Sequence, residues 1–353
     1  GKLQDVDCRD AGVDVPVGMA TRPFDWLELR PEGLYCRPAD LYIDPTRPVA
    51  RAVITHGHAD HARPGHGAVL ATAETHAIMA VRYPDDAPER QAAAYGAPVA
   101  LGGVRFWLAP AGHVLGSAQV VIEHGGARAV VSGDYKRQAD PTAAPFEPVR
   151  ADLFVTEATF GLPVFRHPEP EHEVEKLLAS LTQFPERAHL LGVYGLGKCQ
   201  RMLALIRAAG YDAPIYLHGA LIALTELYRA HGHDFGDIRP AAGASKAAFQ
   251  GALTLAPPSA ATDRWARRLG DVKAAIASGW MGVRARARQR GAELPLVISD
   301  HADWDALLRT CLETQAEEVW ITHGREDALA YALAAAGQRA RPLRLAGRED
   351  DAE

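Results

Sequence analysis

The apolar residues of this chain come in short runs, and the period of those runs changes partway along it. Leu27-Glu28-Leu29, Leu34-Tyr35-Cys36 and Leu41-Tyr42-Ile43 are β-type fragments, the last stopped by Asp44-Pro45. Residues 49–54 are mostly apolar and partly β-branched, which predicts a strand. Helical spacing over 71–79 follows Thr72. Residues 99–108 hold two short strands about Gly102-Gly103, and 118–123 with 127–132 predict a hairpin across Gly125-Gly126. Residues 153–156 read as a buried strand, and residues 1–20 as irregular.

Beyond about Phe165 the pattern alternates. Val174, Leu177, Leu178 and Leu181 sit at helical spacing within 171–183, and a strand follows at 189–194. Gly195-Leu196-Gly197 opens a helix over 198–209, then come a strand at 214–217 and a helix near 220–230. This alternation implies a small parallel sheet with flanking helices, reaching about Val283. Two more apolar strands are expected, Leu296-Val297-Ile298-Ser299 and Val319-Trp320-Ile321-Thr322, each ending in a histidine motif. Many short strands with polar chemistry at their ends point to an αβ/βα sandwich rather than a doubly wound sheet. The alternating stretch then reads as an insertion, dividing the chain at 1–167, 168–290 and 291–353. A length of 353 residues also favours two domains.

Composition adds a few exclusions. A formal charge of −6 argues against wholesale electrostatic capture of nucleic acid but leaves room for a local basic groove. Cys8, Cys36, Cys199 and Cys311 are too scattered for a metal or CxxC pattern and read as reduced thiols. The chain starts without an apolar signal core, and no run approaches the roughly 20 apolar residues of a membrane span. A cytoplasmic protein without a membrane partner is expected.

The chemistry begins at Thr55-His56-Gly57-His58-Ala59-Asp60-His61. Three histidines and an aspartate in six residues, placed after an apolar strand, suit Zn²⁺, Mn²⁺ or Fe, and one segment could serve two adjacent metals. A surface loop that happens to be rich in histidine is the competing explanation, and the HxHxDH spacing disfavours it. Ala111-Gly112-His113-Val114-Leu115-Gly116, Ser132-Gly133-Asp134, Thr156-Glu157, Ser299-Asp300-His301 and Thr322-His323-Gly324 are each weak alone. Five strand ends carrying His, Asp or Glu are hard to explain by packing, whereas a shared metal site at one sheet edge explains them together.

In that order the set resembles the metallo-β-lactamase superfamily and, within it, the β-CASP nucleases, across roughly residues 25–340. Ser-Gly-Asp-Tyr-Lys-Arg, Leu-Gly-Lys-Cys-Gln-Arg, Ala-Ser-Gly-Trp-Met and Ser-Asp-His-Ala-Asp-Trp are most similar to the bacterial ligase-associated DNA exonucleases. The resemblance implies a metallo-β-lactamase sandwich with an inserted β-CASP α/β domain. It implies two zinc ions, with Mn as an alternative activating metal: one on His56, His58 and His113, the other on Asp60, His61 and His323, with Asp134 bridging. Asp44 would support the loop without binding metal. A metal-bridging hydroxide would attack the phosphodiester, assisted by Asp60, with His301 as an acid for the leaving oxygen and Glu157 orienting it.

The substrate must be held through its phosphates. Gly195-Leu196-Gly197-Lys198 offers backbone N–H groups, a helix dipole and a cation, with Arg201 one turn on; a helix start with a solvated lysine explains it equally well. Arg284, Arg286, Arg288 and Arg290 fall at every second position, so an extended segment would line them along one side; a solvated connector is the alternative. Lys136 lies beside Asp134. The leading reading is a DNA exonuclease for single strands or DNA ends, leaning to 5′→3′ action. By family association it would work beside a DNA ligase and a helicase. The alternatives are a β-CASP ribonuclease, a noncatalytic scaffold, or a small-molecule metallohydrolase. The chain ends 30 residues after His323 without an RNA-binding appendage, which favours DNA.

Overall fold

The computed structural model describes residues 21–344. Cys8 and the irregular segment expected at 1–20 lie outside them. In chain order the first sheet contains β1 (Leu27–Arg30), β2 (Gly33–Cys36), β3 (Leu41–Ile43), β4 (Arg51–Val53), β5 (Ala68–Ala71) and β6 (Glu89–Ala92), in spatial order 1-2-3-4-5-6. The first three strands are antiparallel neighbours, and β3 to β6 run parallel. Helix α1 (Ala73–Arg82) follows β5, with the Thr72 hydroxyl capping its start by accepting from Thr75 N.

The second sheet begins with β7 (Val99–Leu101), β8 (Val104–Pro110), β9 (Ala118–His124), β10 (Ala127–Val131) and β11 (Leu153–Ala158). The two expected hairpins are present. The chain then passes through α2 (Pro170–Gln183) into a third sheet. Its strands are β12 (Ala188–Gly192), β13 (Ile215–Leu217), β14 (Ile238–Pro240), β15 (Leu253–Ala256), β16 (Val272–Ala277) and β17 (Leu294–Leu296), in spatial order 14-13-15-12-16-17 and all parallel. Between them lie α3 (Lys198–Ala208), α4 (Ile222–Ala230), the short α5 (Lys246–Phe249) and α6 (Arg284–Gln289). After α7 (Trp304–Glu313), strand β18 (Glu318–Gly324) returns to the second sheet beside β11. Helix α8 (Glu326–Ala335) and β19 (Arg339–Pro342) complete it in the order 19-18-11-10-9-8-7.

Side-chain alternation assigns the layers. Val120, Ile122, Val131, Leu153, Val155 and Trp320 of the second sheet share one core with Leu27, Leu34, Leu41, Ile43, Val53 and Leu70 of the first. The residues between them face the other way: Val121, Val130, Phe154, Val319 and Ile321 pack on Trp304 and Leu307 of α7 and on Leu329 and Leu333 of α8. The outer face of the first sheet, Ala52, Ile54, Val69 and Ala71, packs against Met79 of α1. The molecule is thus mixed α/β with several sheets, and the first two are stacked between helical layers. In the third sheet Leu191, Leu217 and Leu255 face a core with α2, α3 and α4, which also takes in Ile78 of α1. Leu190, Tyr216 and Ala256 face the opposite side.

Two sequence expectations need correction. The strand expected at Leu296-Val297-Ile298-Ser299 lies earlier, as β17, and pairs with β16 in the third sheet. Residues 297–303 form a crossing segment outside any strand. Pro295 inside β17 is tolerated because β17 is an edge strand. The arginine run, expected to be extended, is helix α6. At helical spacing Arg284 and Arg288 share one face, and Arg286 and Arg290 another.

Phe106, 1% exposed between the first two sheets, tests the layer assignment. Phe106→Ala should lower stability by about 3–5 kcal/mol. Tyr331→Ala, at an 80% exposed position on α8, should change it by less than about 0.5 kcal/mol. Urea unfolding of both variants checks this, and equal midpoints would contradict the packing.

Candidate metal centre

Strands β3 and β4 run parallel, as do β10, β11 and β18, and β8 shares their direction because β9 is antiparallel to both β8 and β10. Their C-terminal ends therefore lie at common edges. Asp44 follows β3, residues 55–61 follow β4, His113 follows β8, Asp134 follows β10, and Glu157 and His323 lie at the ends of β11 and β18. His301 arrives on the crossing segment after β17. Asp44 and His323 occupy the left-handed region at φ 46° and 56°. Aspartate and histidine tolerate it better than bulky residues, and such strain concentrates at functional sites.

The structure brings the seven expected ligands together. Donor atoms of His56, His58, His113 and Asp134 form one group within 4.8 Å, and those of His61, Asp134 and His323 form a second. Asp134 is common to both. Its Oδ2 lies 3.4 Å from His56 Nε2, 3.2 Å from His61 Nε2 and 3.9 Å from His113 Nε2. Asp60 Oδ2 is 3.3 Å from His61 Nε2. His61 and His323 have ring centroids 5.3 Å apart.

Each of the first four imidazoles has one nitrogen engaged by a fixed oxygen, and this sets which nitrogen faces inward. His61 Nδ1 donates to Asp44 Oδ2 at 2.7 Å, and His56 Nδ1 to Thr55 Oγ1 at 2.9 Å. Thr55 in turn donates its hydroxyl and its N–H to Asp44, at 2.6 and 2.8 Å. Asp44 thus holds both Thr55 and His61 in place. His113 Nδ1 donates to Asp300 O at 2.7 Å, and His58 Nε2 donates to Leu196 O at 2.9 Å. His58 therefore presents Nδ1, 3.0 Å from His113 Nε2, while the others present Nε2. His56 Nε2 is buried without a hydrogen-bond partner. A buried bare imidazole nitrogen aimed at a carboxylate shared by two donor groups fits a metal centre, because an unmet polar atom is otherwise costly. Burial pushes His58 down to about 4, and burial with the neighbouring imidazoles holds His113 well below its usual range. Both are neutral donors near pH 7. Burial opposes ionisation of Asp134, but His61 and His56 outweigh it and hold the carboxyl well below the usual range.

Glu157 and His301 form a further group with Asp134, their donor atoms within 4.8 Å of one another. His301 Nδ1 donates to Glu157 Oε2 at 2.8 Å. Glu157 also accepts from Thr159 Oγ1 and from Tyr135 N, each at 2.7 Å. Both of its oxygens are committed to hydrogen bonds. The His301 ring lies 4.8 Å from that of His113.

Three expected phosphate contacts are corrected by burial. Lys136, Lys198 and Arg201 are at most 1% exposed. Lys136 Nζ lies 2.6 Å from Asp140 and 3.3 Å from Asp300, and also donates to His113 O at 3.1 Å. Lys198 Nζ is 3.6 Å from Asp300 Oδ2. Arg201 donates to Ser299 O at 2.6 Å and lies 3.4 Å from Asp300. These cations neutralise buried carboxylates and hold the crossing segment, so they are not surface contacts for a polymer. Burial opposes the charge of Asp300, but Lys198, Lys136 and Arg201 outweigh it and keep the carboxyl far below its usual range. The helix start is also occupied: Gly197 N donates to Gln200 Oε1 at 2.8 Å. Gly197 has φ +95°, and a Cβ there would come within 2.4 Å of Val114 Cγ1, so this turn presses against the His113 loop. Sequence reasoning missed Thr55, Leu196 and Asp300 as supports. Two of them act through backbone carbonyls, which leave no side-chain signal.

No family model matches the chain. Over 313 residues it is 28% identical to a protein of Opitutus terrae named a probable DNA ligase, covering 87% of this chain and 30% of that one. It is 36% identical over 107 residues to the cleavage and polyadenylation specificity factor 73 of Drosophila melanogaster, covering 30% and 16% respectively. It is 33% identical over 124 residues to the endoribonuclease ysh-1 of Neurospora crassa, covering 34% and 14%. The chain thus spans less than a third of each of these relatives. The resemblance to the β-CASP nucleases of the metallo-β-lactamase superfamily stands with these homologues.

Two predictions follow from the supports. Asp44→Asn should weaken metal binding about 10–100-fold while the protein stays folded, read by chelator competition; unchanged affinity would remove Asp44 from the centre. Asp300→Asn removes the carboxylate charge shared by Lys136, Lys198 and Arg201 and should cost about 3–5 kcal/mol in denaturant unfolding, with a loss near zero contradicting the network.

Proposed function

We propose that the protein is a metal-dependent phosphodiesterase of the β-CASP type that degrades DNA from strand ends, leaning to 5′→3′ polarity. The single observation that carries this reading is the pair of donor groups sharing Asp134, with the His301–Glu157 pair beside them. We read the two stacked sheets as the metallo-β-lactamase sandwich. The third sheet is the insertion, extending from 168 past residue 290 to the end of β17, because β17 pairs within that sheet. The first donor group with Asp134 suits one zinc, and Asp60, His61, His323 and Asp134 suit the other, with Mn²⁺ as an alternative.

When bound, the metals supply an activated water and a Lewis-acidic neutralisation of the phosphate oxygens. The chain's own residues do the rest. Asp44, Thr55, Leu196 and Asp300 hold four imidazoles in the tautomers that keep a donor nitrogen inward. Glu157 fixes the His301 ring through Nδ1, and in this reading His301 Nε2 delivers a proton to the leaving oxygen. Among the described residues no helix is long and apolar enough to cross a membrane.

DNA is favoured by the ligase-named relative, which matches 87% of this chain. The RNA reading rests on the relatives named for polyadenylation and endoribonuclease activity, each over about a third of the chain. A ligase and a helicase are the proposed working partners. A digestion panel with Mn²⁺ or Zn²⁺ and end-labelled DNA and RNA, bearing 5′-phosphate or 5′-hydroxyl ends, separates the readings. DNA shortened from one end is expected; cleavage of RNA alone would move the assignment to the ribonucleases. His301→Ala should keep its metal and lose about 10²–10⁴-fold in turnover. Metal loss in that variant would make His301 a ligand, and full activity in both His58→Ala and Asp134→Ala would refute the site.

A further inference from the structure

On the His301 side of the centre lies a buried pair of phenylalanines carrying the partly exposed Trp280 and a cationic helix, which none of the assigned chemistry uses. The Phe160 ring is 6.2 Å from that of His301, and Trp280 lies 4.7 Å from Phe160 and 5.1 Å from Phe165. Trp280 sits on the 3-10 turn Gly279–Gly282. That turn is pressed onto the crossing segment: a Cβ at Gly279 would lie 2.4 Å from Phe160 and 2.8 Å from Ser299 Cβ. Trp280 is therefore held in fixed relation to the residues around His301. Arg286 of α6 places its guanidinium 4.0 Å from the indole centroid. Val164, on the same loop as Phe160 and Phe165, is 74% exposed.

Helix α6 divides its cations by face. Arg286 is taken up by Trp280. Arg284 and Arg288, four residues apart, are exposed on another face. Among the described residues none of the ion pairs involves Arg284, Arg288 or Arg290, and the nearest carboxylate in sequence, Glu293, is bound by Arg187 at 3.0 Å. Unneutralised arginines beside the partly exposed Arg286–Trp280 stack, on a chain whose formal charge is −6, call for a polyanion carrying planar groups.

We propose that α6, Trp280 and Val164 form a ledge that receives single-stranded nucleic acid next to the metal centre. Arg284 and Arg288 bind its phosphates, and the Arg286–Trp280 pair with Val164 supports its bases. The proposal rests on the nuclease reading and adds where the strand lies.

The test uses full-length protein, a fluorescent 12-residue oligodeoxythymidylate and the small diester bis-p-nitrophenyl phosphate, which needs the metal centre but no ledge. The double variant Arg284→Ala/Arg288→Ala should raise the oligonucleotide KM and Kd at least tenfold. It should also flatten the slope of log K against log salt by about 0.7 per lost phosphate contact. Hydrolysis of the small diester should be unchanged. Trp280→Leu should weaken oligonucleotide binding about tenfold by loss of stacking, with a shallower effect on the salt slope. The control Arg264→Ala/Arg267→Ala removes the same charge from another exposed surface and should change binding little.

An unchanged KM and salt slope in the Arg284/Arg288 variant, or an equal loss in the control, overturns the ledge and leaves the nuclease reading standing. Wild-type protein that binds the oligonucleotide but cleaves neither substrate overturns the nuclease reading, while weakened binding by the variant still supports the ledge.

Discussion

One buried carboxylate organises the first half of the centre. Asp44 accepts from the Thr55 backbone, the Thr55 hydroxyl and His61 Nδ1, and Thr55 passes the constraint to His56. Two imidazoles are thereby fixed in the tautomer that leaves Nε2 facing Asp134. An imidazole free to rotate would have to be ordered at the moment of metal binding, at an entropic cost. Here the ordering is done during folding, and the left-handed backbone at Asp44 is part of the strain accepted for it.

The other half of the centre is ordered from the opposite direction. His58 is held by Leu196 O, just before α3, and His113 by Asp300 O, just after the third sheet ends. The parallel-sheet unit therefore supplies the acceptor for His58, and the crossing segment that leaves it supplies the acceptor for His113. The buried charges serve the same junction. Arg201 and Lys198 from α3 and Lys136 from the loop after β10 converge on Asp300, while Lys136 also binds His113 O. Such a network contributes little net stability once desolvation is counted, and it ties the geometry of one unit to the other.

The sequence carried the centre because strand ends leave a local signature: an apolar run followed at once by a carboxylate or histidine. HxHxDH, Asp134 and His323 were readable for that reason. The alternation of the third sheet was readable from period alone. Burial of Lys198 and Arg201 was hidden, because a lysine at a helix start looks the same whether it faces water or a carboxylate. The deciding partner, Asp300, lies 99 residues from Arg201. The misplaced strand at Leu296-Val297-Ile298-Ser299 has a similar cause. A short apolar run does not say how many of its residues pair, and here pairing with β16 stops at Leu296.

The arginine run shows how a change of period alters a chemical conclusion. As an extended segment, 284–290 would have given a single comb of cations. As a helix it separates them, one arginine covering an indole and two facing solvent. The separation suits a strand better than a comb would. Phosphates and bases project from opposite sides of a single-stranded backbone, so a receiving surface needs cations and flat apolar groups side by side. Phe160 links that surface to His301 within two ring contacts. A strand held there would present its phosphates beside the one imidazole whose orientation depends on Glu157 rather than on Asp44, Thr55 or the crossing backbone. Positioning of substrate and positioning of the proton donor would then share one wall of the site.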